Sequence, residues 1–270
     1  MSASARIRVI VAVIALAAAG VVAGVVYATR EDPAQPTARC PNGPGIIVAP
    51  GVTSPYEKPV AAALRKSPEA AARAIEPLVA EHPKDALVQF NYGWALYCSD
   101  FDADAILVLR KAKKLGRNTR YEIVADNILH PQYFRDGYPP LQYSGSDPLI
   151  IQGLIAQRGY HQHTAERLWA RAATLHPNDP DALVAAAVGR FDMDNLNASF
   201  SHLGPLVKRF PNSQTVRFHL GLLLSWTGQR TLAVKEFTAA RKLGPETALG
   251  KAANAFLVKL QNSGTQSSKR

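Results

Sequence analysis

The sequence contains one tight histidine pair, His161-Gln162-His163. A helical metal pair places its ligands about four residues apart and needs a further ligand nearby. This pair is two residues apart and sits where a polar helix-to-helix turn is expected. His82, His130 and His176 each precede a proline and read as helix-end residues. Asp100, Asp102 and Asp104 in "SDFDADA" look like the start of a calcium loop. Ala105, however, stands where such a loop needs glycine, and Lys111 where it needs glutamate. The three acids are better read as helix-capping groups at a hairpin turn. Asn197-Ala198-Ser199 has the form of a glycosylation acceptor, but Ser199 falls at a position where two helices cross. No phosphate-cradling glycine loop and no serine-elbow pattern is present. The residues therefore predict no catalytic group, no metal site and no cofactor, and the chain does not read as an enzyme.

One charged run stands out. Arg110, Lys111, Lys113, Lys114, Arg117 and Arg120 lie in a stretch with no acid from Ala105 to Tyr121. Cations at a helix C-terminus complement its dipole. The run reads either as a solvated convex face or as a patch that contacts lipid headgroups or a cell-wall polymer. The formal net charge of +10 over 270 residues permits anionic partners without specifying one.

Which partners are available depends on the compartment. Val9 to Ala28 is an uncharged apolar run, and as a helix of about 1.5 Å per residue it spans roughly 30 Å, the bilayer core. Arg6 and Arg8 precede it, whereas Arg30, Glu31 and Asp32 follow it. This bias predicts a cytoplasmic tail at 1–8, an anchor at 9–28 and an extracytoplasmic remainder. A cleaved signal peptide ending at Val26-Tyr27-Ala28, with secretion of the rest, is the competing reading. Either placement makes nucleic acid an improbable partner. It also permits a disulfide between Cys40 and Cys98; two unpaired thiols are the alternative.

Residues 29–58 contain Pro33, Pro36, Pro41, Pro44, Pro50 and Pro55. Proline at this density opposes helix and central strand, so the segment reads as a spacer off the membrane. The short "IIVA" within it is a candidate to dock on the following domain.

From Pro59 the pattern is helical, and it repeats. Gly153, Ala187 and Gly221 are 34 residues apart. The same interval relates Ala165, Ser199 and Ala233; Trp169, Leu203 and Phe237; Ala172, Leu206 and Ala240; and Pro177, Pro211 and Pro245. Gly93, Ala105, Leu109 and Ala112 extend the register upstream, with Arg117 in place of proline. Ala71, Ile75 and Pro83 extend it once more, behind a Ser67-Pro68 helix start. Pro77 is a misfit that predicts a kink. Small residues let two helices approach closely, a bulky residue fills the gap to the next hairpin, and proline ends the helix.

A 34-residue period of paired helices resembles the tetratricopeptide repeat family. The resemblance covers about 59–262 and departs from the pattern at Leu206, which is not small. It implies an all-α fold, a right-handed superhelix of helical hairpins behind one N-terminal transmembrane helix. A last helix follows Pro245, and 263–270 reads as a disordered tail. Gly93 to Gly153 spans 60 residues, which is 34 plus 26. The extra length is an insertion at about 120–145 with a short helix, Tyr121 to Leu129, and the aromatics Tyr133, Phe134, Tyr138 and Tyr143. It reads either as a functional loop or as a decayed repeat that covers hairpin ends.

The resemblance further implies a concave groove lined by the first helix of each hairpin. By register its lining includes Phe90, Asn91, Trp94, Tyr97, Ile150, Leu154, Arg158, Val184, Phe191, Phe218, Leu222 and Trp226. Some family members clamp a carboxylate with basic residues and Asn; here those positions hold Phe90, Trp94, Ile151, Asp181 and Ala185. The clamp is absent, and an aromatic groove favours an apolar peptide or helix of an unidentified protein. Packing of Phe90 and Trp94 against neighbouring hairpins is the alternative. The resemblance thus implies a scaffold or assembly factor, with a polyanion-binding module through 110–120 as the competing function. Oligomeric state is left open.

Overall fold

The computed structural model describes Cys40, residues 43–130 and residues 138–267. The predicted anchor at 9–28 lies outside the described residues, as do Tyr133 and Phe134. Among the described residues no helix is long and apolar enough to cross a membrane.

All regular structure among the described residues is helical. In chain order the helices are α1 (Glu57–Ala63), α2 (Pro68–Glu81), α3 (Ala86–Cys98), α4 (Asp102–Leu115), α5 (Arg120–Leu129) and α6 (Pro148–Arg158). They continue with α7 (Gln162–Leu175), α8 (Pro180–Gly189), α9 (Leu196–Arg209), α10 (Gln214–Trp226), α11 (Arg230–Leu243) and α12 (Ala248–Ser267). Each helix packs mainly on its chain neighbours, and the hairpins are α3/α4, α6/α7, α8/α9 and α10/α11.

The punctuation behaves as its chemistry dictates. α2, α7, α9 and α11 end two residues before Pro83, Pro177, Pro211 and Pro245, because a ring at those positions cannot continue the helix. α4 stops at the equivalent place without a proline, with Gly116 as its C-cap. The next helix then starts on a side chain that accepts a first-turn N–H. Asp85 accepts from Val88 N, Asp147 from Leu149 N and Ile150 N, Asp179 from Asp181 N and Ser213 from Val216 N. α2 runs through Pro77 to Glu81 without ending.

Within three hairpins the turn between helices carries a left-handed residue, at Asp100 (φ 61), Tyr160 (φ 65) and Gly228 (φ 74). Asp100 stands in the hairpin turn, as the sequence predicts for it. Phe101 is the N-cap of α4 and makes no side-chain cap bond, while Asp102 and Asp104 lie in the first turn. There the positive end of the helix dipole favours their charge.

Small residues stand where the hairpin helices cross. A Cβ at Gly153 would fall inside the Trp169 indole, and one at Gly221 would meet the Phe237 ring at 2.9 Å. Ala165, Trp169, Ala172, Ala233, Phe237 and Ala240 are fully buried, as the register predicts. Three apolar clusters follow one another along the chain, centred on α2–α5, α6–α10 and α10–α12.

Candidate functional site

Two groups of helices, α3 with α5 and α6 with α8 and α10, are each covered by an irregular stretch of the chain itself. Over α3 and α5 runs Gly43–Val52, whose Ile46, Ile47, Val48 and Val52 pack against the first cluster. The "IIVA" stretch therefore docks on the domain, with Ala49 at 1% exposure. Over α6, α8 and α10 runs 138–146, whose Tyr138, Leu141 and Tyr143 pack into the second cluster.

Both segments are held through their main chain by amide or imidazole side chains. Asn91 accepts from Ile47 N at 2.9 Å and donates Nδ2 to Ile47 O at 2.9 Å. The same Nδ2 donates to Leu87 O within the helix. Arg120 donates to Val48 O. On the second segment Gln157 accepts from Leu141 N and donates to Pro139 O, both at 3.3 Å. His219 accepts from Gln142 N through Nε2 at 2.9 Å, and its Nδ1 donates to Thr215 O at 2.7 Å. Burial holds the His219 imidazole down to a pKa of about 4, so it is neutral with the proton on Nδ1.

This arrangement decides where the expected groove residues stand. Phe90, Asn91, Phe191, Phe218, Leu222 and Trp226 are buried, together with Ile150 and Val184. Phe90 stacks on Tyr121 of α5 at 5.2 Å, and Phe191 meets Tyr138 edge-on at 5.8 Å. These residues are not open to a partner; Phe218 and Leu222 pack with α11 and α12, where Phe218 meets Phe237 at 5.6 Å and Phe256 at 6.1 Å. Trp94, Tyr97 and Leu154 are half-buried and Arg158 is exposed; Trp94 stacks on Tyr97 at 5.7 Å.

The basic run also divides. Arg110, Lys111, Lys114 and Arg117 are exposed, and no carboxylate among the described residues pairs with them. Lys113 and Arg120 are structural instead. Arg120 holds Val48 and lies over the Tyr160 ring at 5.9 Å. The Lys113 ammonium sits 2.6 Å from Asp126 and 2.7 Å from Asp194. Asp126 also accepts from Tyr138 Oη at 2.6 Å. Burial pushes the Asp126 carboxyl above its ordinary range, against the hydrogen bonds from Lys113 and Tyr138.

The histidine pair belongs to the same seam between α4–α5 and α7. His161 bonds the Asn118 carbonyl at 2.9 Å, and His163 lies between Glu122 at 2.8 Å and Glu166 at 3.3 Å. A cleft of about 630 Å³ opens there, lined among others by Lys113, Glu122, His163, Glu166, Arg190 and Asp194. Many of its charges pair with one another across the cleft. Among the described residues no group of three His, Cys, Asp or Glu could hold a metal ion. Cys40 and Cys98, the chain's two cysteines, are each disulfide-bonded.

Asn91 was placed in the groove by register, but its main-chain partner was not visible in the sequence. Gln157, His219 and Asp126 gave no signal at all, since a single polar residue in an apolar helix looks alike whether it faces water or a buried peptide.

No protein-family profile matches the chain, and no curated protein matches it. Among solved structures it is similar to "MamA RS-1 ArsTM double mutant", at 18% identity and a TM-score of 0.28, over 66% of this chain and 86% of that one.

Proposed function

We propose that this chain is a membrane-anchored, extracytoplasmic scaffold or assembly factor. Its helical hairpins form a tetratricopeptide-like right-handed superhelix, and the shared face of their first helices binds a segment of a protein partner. The observation that supports this reading is the two-sided hydrogen bonding of Asn91 to the Ile47 main chain. A face that holds peptide backbone through side chains accepts segments of varied sequence, and apolar surroundings supply affinity. The apolar run at 9–28 supplies the anchor, and the oxidised cysteines suit an oxidising compartment.

Photo-crosslinking of the full-length chain in its membranes tests the reading, with the crosslinker placed at Tyr97 or Leu154. A discrete partner crosslinked from both positions, and not from exposed Lys251, supports a binding face. Identical adducts from all three positions would sink it. Protease treatment of sealed membranes tests orientation separately.

The exposed quartet Arg110, Lys111, Lys114 and Arg117 favours a second reading, a polyanion-binding surface. Binding of that kind weakens steeply with salt, whereas an apolar face responds little. A salt series on anionic vesicles separates the two.

A further inference from the structure

Residues 46–48 make no backbone–backbone hydrogen bond among the described residues. They form neither helix nor strand, yet they sit on a helical face, where the Ile47 N–H and carbonyl and the Val48 carbonyl bond side chains of that face. This is how a receptor holds a foreign peptide, and it is unusual for an element of a repeat array, which buries backbone by pairing it within helices.

We propose that Gly43–Gly51 is a built-in occupant of the binding face, and that an extended aliphatic segment of a partner protein takes its place. The inference rests on the peptide-binding reading above and adds to it that the face is latent. Three observations carry it.

The first is the state of Asn91. It is fully buried, and its amide is saturated by Ile47 N, Ile47 O and Leu87 O. With the segment removed, the carboxamide oxygen and one N–H would exchange two fitted bonds for water, so the face favours an occupant that offers a backbone N–H and C=O there. Nothing in the Asn91 bonds depends on the Ile47 side chain, so any segment of similar backbone geometry satisfies it.

The second is the segment's own chemistry. Its ends turn at Gly43 (φ 74) and Gly51 (φ 77), and a Cβ at either would meet nothing within 4 Å. The glycines serve backbone conformation and not packing. Between them lies an uncharged "PGIIVAP", whose Ile46, Ile47 and Val48 are only half-buried. Pro44 and Ala49 at its two ends are buried and small, and no helix is interrupted if the segment leaves. Large core residues such as Leu87 and Phe90 are fully buried by contrast.

The third is the replacement chemistry. The occupant that fits is a stretch of consecutive aliphatic residues flanked by small residues or proline, without charge, copying Gly45–Pro50. An intramolecular occupant competes at an effective concentration that an external peptide must overcome, so the apparent affinity of the partner is reduced by the fraction of time the face is vacant.

The test uses the full-length chain in detergent micelles and a fluorescein-labelled peptide with the sequence of residues 43–51, read by anisotropy. Ile47→Asp weakens the internal occupant and leaves the face intact. The expected result is at least tenfold tighter peptide binding by the Ile47→Asp chain than by the unmodified chain, with a tenfold loss when Asn91→Ala is added. Circular dichroism checks that each variant keeps its helix content. Equal binding by the unmodified and Ile47→Asp chains would overturn latency and leave the binding face standing. No binding by either would overturn both. Wild-type hydrogen exchange gives a measurement that needs no variant. Exchange of the Ile47 amide well ahead of the Phe90 amide supports release; exchange at the same rate makes the segment a fixed part of the core and overturns the inference. A dimer of the unmodified chain with exchanged segments would assign the face to a second copy and overturn the partner assignment.

Discussion

The Trp169 indole lies flat against the backbone at Gly153 and donates Nε1 to the Ile150 carbonyl at 3.0 Å. No side chain other than hydrogen fits between these two helices. Gly153→Ala gains about 1 kcal/mol of helix propensity but forces Trp169 out of a fully buried site. The expected net loss is about 2 kcal/mol, read as a lower urea midpoint with unchanged slope. Gly221→Ala meets the Phe237 ring at 2.9 Å, a contact that a small ring shift relieves, and should cost less. Equal midpoints for Gly153→Ala and the unmodified chain would remove the close crossing as the reason for glycine at that position.

Both cysteines are bonded, so thiol titration in denaturant without reductant should detect no free thiol. Removing the bond with Cys40→Ser and Cys98→Ser should lower stability by about 2–4 kcal/mol, the usual effect of freeing a long loop in the unfolded chain. Helix content should stay the same, because Cys40 lies in no helix and Cys98 is the last residue of α3. One free thiol per cysteine in the unreduced protein would refute the prediction at once.

The repeat was legible because its demands are steric and local. A helix crossing tolerates only a small residue at 153, 187 and 221, and α7, α9 and α11 each end two residues before a proline that removes an N–H donor. These constraints act on residue type, so they can be read from the letters. What covers a face is different. The repeat register places Phe191 in the groove, but its packing against Tyr138 depends on where 138–146 returns, and that is set by tertiary contact. Lys113 shows the same limit. Six cations in a row looked uniform, yet one of them faces Asp126 and also Asp194, 81 residues away, and is enclosed. Asp100 takes a left-handed turn conformation, which Asp tolerates better than most.

His219 makes stability depend on pH in the weakly acidic range. Its imidazole is fully buried and its pKa is lowered from 6.5 to about 4. Between those values the unfolded chain binds a proton that the folded chain does not. Stability from this residue is therefore complete above pH 6.5 and is lost as pH falls towards 4, by about 3 kcal/mol in all. The urea midpoint should fall between pH 7 and pH 5. His219→Gln should flatten this slope while lowering stability at pH 7, since Gln142 N–H loses its fitted acceptor. A variant with an unchanged slope would assign the pH dependence to other groups.

Lys113 is the near cation of a buried carboxylate, Asp126, which also accepts from Tyr138 and lies 3.8 Å from His130. The Asp126 side chain is 1% exposed and that of Lys113 18%, so solvent screens the pair little. Replacing the cation with Lys113→Met should cost about 3–5 kcal/mol at pH 7, because Asp126 is left charged and buried. Burial already raises the Asp126 pKa, and loss of the ammonium raises it further. For an acid raised in the fold, the folded chain holds a proton that the unfolded chain releases, so its contribution is present at low pH and is lost as pH rises through the folded value. The gap between variant and parent should therefore shrink as pH falls, while the His219 effect cancels because both chains carry it. A gap independent of pH would show that Lys113 acts through packing of its methylene stem, and that its charge is not what holds the seam between α4, α5 and Asp194.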